Sequence, residues 1–444
     1  MRWPSPRIRR GPRPQKGTKK RTKSFLFDSD RLHRCAREIF DYALSSVDPR
    51  PAVVDFCRAH LNTSSSSSIY AIAIGKAATS MAVGLEQALG DRLTAGLISS
   101  PDPPLHLKHW RSFAGGHPLP NRASLEAARA AFALLDQANA ERSLVVFLIS
   151  GGGSAMLEWP ISREISLEDL RNANQTLITC GARIDEVNAV RRALSAVKGG
   201  ALARRAPYAE MMTLIVSDTN RGDEASVASG PTLSPPISAP SAIDVIEHYK
   251  LEQVLPASIM KSMRQTSPDV RPHTAGTHHV LLGNWTAVEA ATRKAVDLGF
   301  TCITREDICE QPIEQGCDLL LSGVQGEPNI CEISGGEFSC PVRGDGRGGR
   351  NLETVLRCAV KLDRNRPYTV VLSAGTDGVD GNSPCAGAIA DETTIERARR
   401  YGLDPEHFLA HSDSYAFFDQ LEQLILTGPT GTNVRDLRIV LKSV

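Results

Sequence analysis

Lysine, arginine and aspartate recur beside glycine in this sequence, at places where an apolar run gives way to a loop. Ile69–Ile74 runs into Gly75-Lys76-Ala77-Ala78. A lysine there can meet a phosphate, and the start of a following helix adds backbone donors. A Walker A loop is excluded, because Tyr70 stands where its first glycine would be. Leu144–Ile149 runs into Ser150-Gly151-Gly152-Gly153-Ser154. Three bare glycines leave N–H groups uncovered, which suits an anion nest. Asp218 follows Leu214–Val216 and can hold magnesium, accept a hydroxyl proton or cap a helix. Gly344, Gly346 and Gly349 formally fit G-x-G-x-x-G, but a dinucleotide site wants an acid ending the next strand, and Leu372-Ser373-Ala374-Gly375 has none. Arg347 and Arg350 in that loop suit charged oxygens better. Asp377 and Asp380 lie three apart in a Gly-rich loop; they suggest a magnesium or hydroxyl contact, or an Asx turn with no ligand. Mostly positioning plus cations is what phosphoryl transfer needs.

These residues have to be set by the elements before them. Short apolar runs recur at Ile69–Ile74, Ala95–Ile98, Leu144–Ile149, Leu214–Val216, His279–Leu282, Leu319–Leu321, Thr369–Leu372 and Leu424–Leu426. Helix-like stretches lie at Leu32–Leu44, Ser124–Gln137, Ser166–Thr179, Glu186–Leu202 and Ala287–Leu298. Strands alternating with helices predict βαβ units and a buried parallel sheet, with ligands beyond the strands' carboxyl ends. Pro231–Pro240 and residues 264–277 read as loops or connections. A boundary near 265 divides the chain into 25–265 and 266–444.

Composition narrows the partners. The 444 residues carry a net charge of +1, but the first 24 hold ten Lys/Arg and no acid. The remainder has 41 basic against 50 acidic residues, a balance that disfavours a nucleic-acid partner. Residues 1–24 are expected to be a disordered basic tail. No apolar run reaches the roughly 18 residues that a membrane span needs. Ten cysteines with no Cys-x-x-Cys pair predict reduced thiols and a cytoplasmic setting. Whether the chain forms a homo-oligomer is left open.

The motifs, taken in order, resemble one family. Ile74-Gly75-Lys76-Ala77, Gly115-Gly116-His117-Pro118, Ser150–Ser154, Asn188-Ala189-Val190-Arg191 with Lys198-Gly199-Gly200, and Ser217-Asp218 with Ser229-Gly230-Pro231-Thr232 are similar to the N-terminal domain of glycerate 2-kinases. Ser334-Gly335-Gly336-Glu337, Gly346–Asn351, Ala374–Gly381 and Thr427–Asp436 resemble the MOFRL domain of the same enzymes. The resemblance spans about residues 28–442. It implies an α/β protein with a Rossmann-like N-terminal domain, a smaller α/β C-terminal domain (MOFRL region about 325–440) and an active site in the cleft between them. It also implies ATP- and Mg2+-dependent phosphorylation of D-glycerate to 2-phosphoglycerate. Lys76, Arg350 and Asp218 fall on the catalytic positions. The resemblance places phosphate or nucleotide at Ser150, Gly151, Gly152, Gly153, Ser154, Gly346, Gly348 and Gly349. Asn188, Arg191 and Glu337 are expected at the substrate, and Asp377 and Asp380 at a metal. Asp218 is expected to orient or deprotonate the hydroxyl, or to hold the metal. The family usually reads Val-x-Gly-Asp after Ser-Asp, whereas this chain has Thr219-Asn220-Arg221-Gly222-Asp223, which gives Arg221 a place to alter acceptor preference. The alternative reading is an NAD(P)H-dependent hydroxypyruvate reductase, a label the family has often carried.

Overall fold

Strands that are apolar on both faces need cover on both sides, and helices supply it here. The computed structural model describes residues 29–61, 68–104, 106–265, 276–324, 328–362 and 368–443; the basic segment 1–24 lies outside them. Two compact units form. One holds residues 48–283 and 431–433; the other holds 29–47, 284–430 and 434–443. The first helix, α1 (Ser29–Ser45), belongs to the second of these.

The unit beginning at Asp48 is built on a parallel sheet. After α2 (Pro49–His60) come β1 (Ile69–Ile74), α3 (Ala78–Leu89), β2 (Leu93–Ser100), β3 (Trp110–Ala114), α4 (Arg122–Glu141) and β4 (Leu144–Ser150). Helices α5 (Gly153–Met156), α6 (Leu167–Thr179), α7 (Ile184–Ala193) and α8 (Ala201–Arg204) precede β5 (Glu210–Val216). Helices α9 (Ala242–His248) and α10 (Ala257–Gln265) precede β6 (Thr277–Leu282). The strand order is β3-β2-β1-β4-β5-β6, every pairing parallel. That is the Rossmann order, with its switch point between β1 and β4. Every residue of β1 is buried, and Tyr70, Ile72, Phe147, Ile149 and Leu135 share one core. Helix starts follow local chemistry: Asn121 and Ser166 each close a capping box, on Ser124 and Asp169. The helix expected over Glu186–Leu202 is two helices: α7 ends at Ala193, and α8 starts at Ala201 only after Gly199 and Gly200 take φ of 62° and 78°, values outside a right-handed helix.

The other unit carries a mixed sheet. Its elements after α1 are α11 (Asn284–Asp297), β7 (Thr301–Arg305), α12 (Ile313–Ser322), β8 (Ile330–Gly336), α13 (Arg350–Leu362), β9 (Thr369–Gly375) and β10 (Gly387–Asp391). Then come α14 (Thr394–Arg400), α15 (Pro405–Ala410), α16 (Ser414–Gln420), β11 (Leu424–Ile425) and β12 (Asp436–Lys442). The order is β11-β10-β9-β12-β8-β7. Only β7 and β8 run parallel; β12 is antiparallel to both its neighbours. One expectation is corrected by this unit. Leu319–Leu321 is not a strand but the end of α12, whose buried residues Ile313, Gly316, Cys317, Leu320 and Leu321 follow helical spacing. α1 packs here, with Leu32, Ile39 and Phe40 in one core with Leu372 and Ile439. The units also part at Gly283 rather than near 265, since β6 completes the parallel sheet.

Candidate active site

In the parallel unit, β1, β4 and β5 end level with one another. Ile74 pairs with Ile149, and Ser150 with Val216, so the residues that follow emerge side by side at the switch point. Gly75 makes the exit of β1 feasible. It takes φ +114°, and a Cβ there would stand 2.4 Å from the Ser150 carbonyl oxygen. The Lys76 N–H then donates to the Gly151 carbonyl at 2.9 Å, and the Ala77 N–H to Ser150 Oγ at 3.0 Å.

The glycine run brings the functional side chains together. A Cβ on Gly151 would fall 1.9 Å from the Asp218 carboxylate and 2.9 Å from Asn433 Nδ2. A Cβ on Gly152 would meet the Lys76 stem at 3.2 Å and the His117 ring at 3.4 Å. Lys76, Asp218, His117 and Asn433 therefore gather around Gly151 and Gly152. Ser150 and Gly153 are different. Ser150 is fully buried and ties the two loops, while Gly153 leaves room for Ala228 and Ile74. Ser154 Oγ lies 2.8 Å from Ser229 Oγ, and Ser229 donates to Asn188 Oδ1 at 2.8 Å. Asn188, expected at the substrate, is 2% exposed and supports the loop through Ser229. Arg191 donates to Asn174 Oδ1 at 2.8 Å, and burial holds its pKa below the ordinary arginine value.

In the mixed unit, Arg350 is the first residue of α13. Its Nε donates to Asp436 Oδ2 at 2.5 Å and its Nη2 to Oδ1 at 3.2 Å, a bidentate fork. Nη2 also lies 2.8 Å from Glu337 Oε1. Glu337, expected at substrate, is thus a partner of Arg350. Burial works against the guanidinium charge, but Asp436 and Glu337 outweigh it and raise its pKa. Asp436 opens β12 opposite Gly336 and Gly375. Two residues on, the buried Arg438 donates to the Gly336 and Ile308 carbonyls at 3.3 and 3.1 Å and stacks on Phe338 at 3.9 Å. It fixes the end of β8 from which Glu337 departs.

Several expected ligands have other work here. The Gly346 N–H donates to the His411 carbonyl at 3.1 Å, and the Gly348 N–H to Asn382 Oδ1 at 2.8 Å. A Cβ on Gly349 would strike Asp380 at 2.4 Å. Neighbours crowd the Cβ position at all three. Asp380, expected at a metal, accepts backbone donors in this structure. Its carboxylate accepts the N–H groups of Asn351 and Leu352 at 3.1 and 2.8 Å, and burial pushes it up to about 7 against those donors. Asp377 Oδ1 accepts the Val379 N–H at 3.2 Å, an Asx turn. No three His, Cys, Asp or Glu among the described residues form a metal-binding group. Asp436, Arg438 and Asn433 were not singled out from sequence; only the polar loop and motif around Thr427–Asp436 pointed toward them.

Residues 35–264 match the family described as "Domain of unknown function (DUF4147)", and 330–436 match the MOFRL family. The D-glycerate 2-kinase of Thermotoga maritima is 33% identical, over 94% of this chain and all of its own. The chain belongs to the glycerate kinase family. A crystal structure of glycerate kinase from Thermotoga maritima aligns with TM-score 0.79 at 30% identity, covering 93% of this chain and 100% of that one. A protein of Agrobacterium vitis with a provisional hydroxypyruvate reductase name is 35% identical, over 91% of this chain and 93% of its own. A family member of this kind carries a Rossmann-ordered unit and a MOFRL unit, and among its described residues no helix is long and apolar enough to cross a membrane.

Proposed function

We propose that this chain is a glycerate 2-kinase that transfers the terminal phosphoryl group of ATP to the C2 hydroxyl of D-glycerate. The observation that carries the reading is the convergence of Lys76 and Asp218 on Gly151-Gly152 at the sheet's switch point, where ligands of such sheets bind. The bare glycine backbone admits phosphate oxygens closely. Lys76 and Arg350 supply positive charge for the phosphoryl group in flight. Asp218 orients the attacking hydroxyl and takes its proton. Magnesium comes with ATP, whose phosphate oxygens supply much of its ligand shell. Ten free cysteines fit a reducing cytoplasm.

The reductase alternative has little support in the residues. The Gly346 and Gly348 amides are engaged by His411 and Asn382, and β9 after α13 ends in Ser373-Ala374-Gly375, with no acid for a ribose. Incubation with ATP, Mg2+ and D-glycerate, followed by ADP release and phosphorus NMR, tests the proposal. Formation of 2-phosphoglycerate is expected. ADP release at background, or NADH oxidation with hydroxypyruvate in its place, overturns it.

A further inference from the structure

We propose that Asp380 is a positioning residue for Arg350, acting as the N-cap of α13 from another loop. The proposal rests on the reading that Arg350 serves phosphoryl transfer. An N-cap side chain normally accepts the N–H of the second or third helical residue. The residue in that place is Gly349, which has no side chain to offer. Asp380, reaching in from the loop after β9, accepts both, from Asn351 at 3.1 Å and from Leu352 at 2.8 Å. It is 2% exposed, and it also takes the Asn351 side-chain amide at 3.2 Å. The remaining Asn351 oxygen accepts Ser373 Oγ at 2.6 Å, which ties the helix start to β9.

The two loops are fitted to one another. Gly349 is glycine because a Cβ would collide with Asp380, and Gly381 because a Cβ would stand 2.1 Å from the Gly348 carbonyl oxygen. Asn382 completes the clamp. Its side chain accepts the Gly348 N–H at 2.8 Å and donates to the Gly346 carbonyl at 3.2 Å, while its own N–H donates to the Gly348 carbonyl at 3.1 Å. Arg350 is the residue that directly follows this locked segment. Asp436 then sets the guanidinium, but Asp380 and Asn382 set the backbone from which it extends. Asp380 thus belongs to the presentation of Arg350 rather than to a cation.

A double-mutant cycle tests this. Asp380→Ala is expected to lower kcat by about 10- to 100-fold, since displacements near 1 Å carry losses of that order. KM for ATP and for D-glycerate should move less than about threefold, the change being in presentation rather than ground-state binding. Asp380→Asn keeps one acceptor oxygen and should recover part of kcat, as Asn and Asp are comparable caps. In an Arg350→Ala background, Asp380→Ala should change kcat by less than about twofold. Losses that multiply in the double variant, or an Asp380→Ala enzyme with wild-type kcat, overturn the proposal. If Asp380→Ala does not fold, Asn382→Ala carries the same cycle with the same criteria. Amide exchange needs no substrate: Asp380→Asn should speed exchange at Asn351 and Leu352. Unchanged exchange refutes the cap whatever the activity, whereas faster exchange in a chain that releases no ADP refutes only the kinase reading.

Discussion

Glu332 sits on β8 with no exposure, and neither of its carboxylate oxygens has a hydrogen-bond partner among the described residues. Arg305 comes only to 3.7 Å and directs its fork to Asp307 at 2.8 and 2.9 Å. A Cβ on Gly323 would lie 1.2 Å from the Glu332 carboxylate, so the side chain fills space only a glycine leaves. Burial pushes this carboxyl up to about 8, with Arg305 opposing and Asp307 reinforcing the shift. The folded chain therefore holds a proton that the unfolded chain releases at about 4.5. Stability from this group is fullest below about pH 4.5, falls as pH rises, and levels off above about pH 8. The gap corresponds to about 5 kcal/mol, of which about 3 is already lost at pH 7. Glu332→Gln keeps the shape and removes the titration. The variant should match the wild type near pH 4.5 and exceed it by several kcal/mol near pH 9. For a unit of this size that is a rise in Tm of roughly 10–20 °C, read by calorimetry on the two proteins across that range. A difference between them that stays constant from acid to alkaline pH would refute the reasoning, because it would mean that Glu332 is ionised in the fold throughout.

Three further outcomes are expected. Lys76→Ala should lower kcat by about 100-fold or more with an unchanged circular dichroism spectrum; a loss under about tenfold removes Lys76 from the phosphoryl site. Gly151→Ala is a narrower probe, because Gly151 does not adopt a positive φ and only the new Cβ disturbs Asp218. Its kcat should fall by about tenfold or more, and a wild-type rate would show that the placement of that carboxylate is immaterial. Lys198 and Glu158 form an ion pair with side chains 1% and 4% exposed, and Ser195 Oγ donates to Glu158 at 2.5 Å. Lys198→Met should destabilise by about 3–5 kcal/mol, and adding Glu158→Gln should restore much of it; urea unfolding of the three proteins decides, and a single-variant loss under about 1 kcal/mol contradicts the buried pairing.

The parallel unit was the more legible half of the sequence. Its central strands β1 and β4 are short and apolar on both faces, and each announces its carboxyl end with a change to glycine or serine. Ile74-Gly75-Lys76 and Ile149-Ser150-Gly151 could be placed at strand ends from that contrast alone, and the structure sets them adjacent. The mixed unit was less legible. β12, the strand between β8 and β9, follows a loop rather than a helix, and its Arg438 breaks the apolar run although it is 1% exposed. Leu319–Leu321 showed the opposite difficulty, since three apolar residues fit a strand and a buried helix equally well.

Glycine explains why the site was harder to read than the fold. A glycine-rich loop tells that something approaches the backbone closely, but not what. At Gly151 and Gly152 the neighbours are Asp218, Asn433, Lys76 and His117, side chains with chemistry to offer a substrate. At Gly346, Gly348 and Gly349 they are His411, Ser414 and Asp380, and Asp380 accepts the first amides of α13. Both loops are rich in glycine, and the distinction lies in residues far along the chain. The same holds for aspartate. Asp218 and Asp380 each follow a strand near glycine, yet Asp380 has both oxygens on the backbone of α13, while Asp218 lies against the bare backbone at Gly151. The backbone partners that Asp380 has found are a property of the fold rather than of the motif.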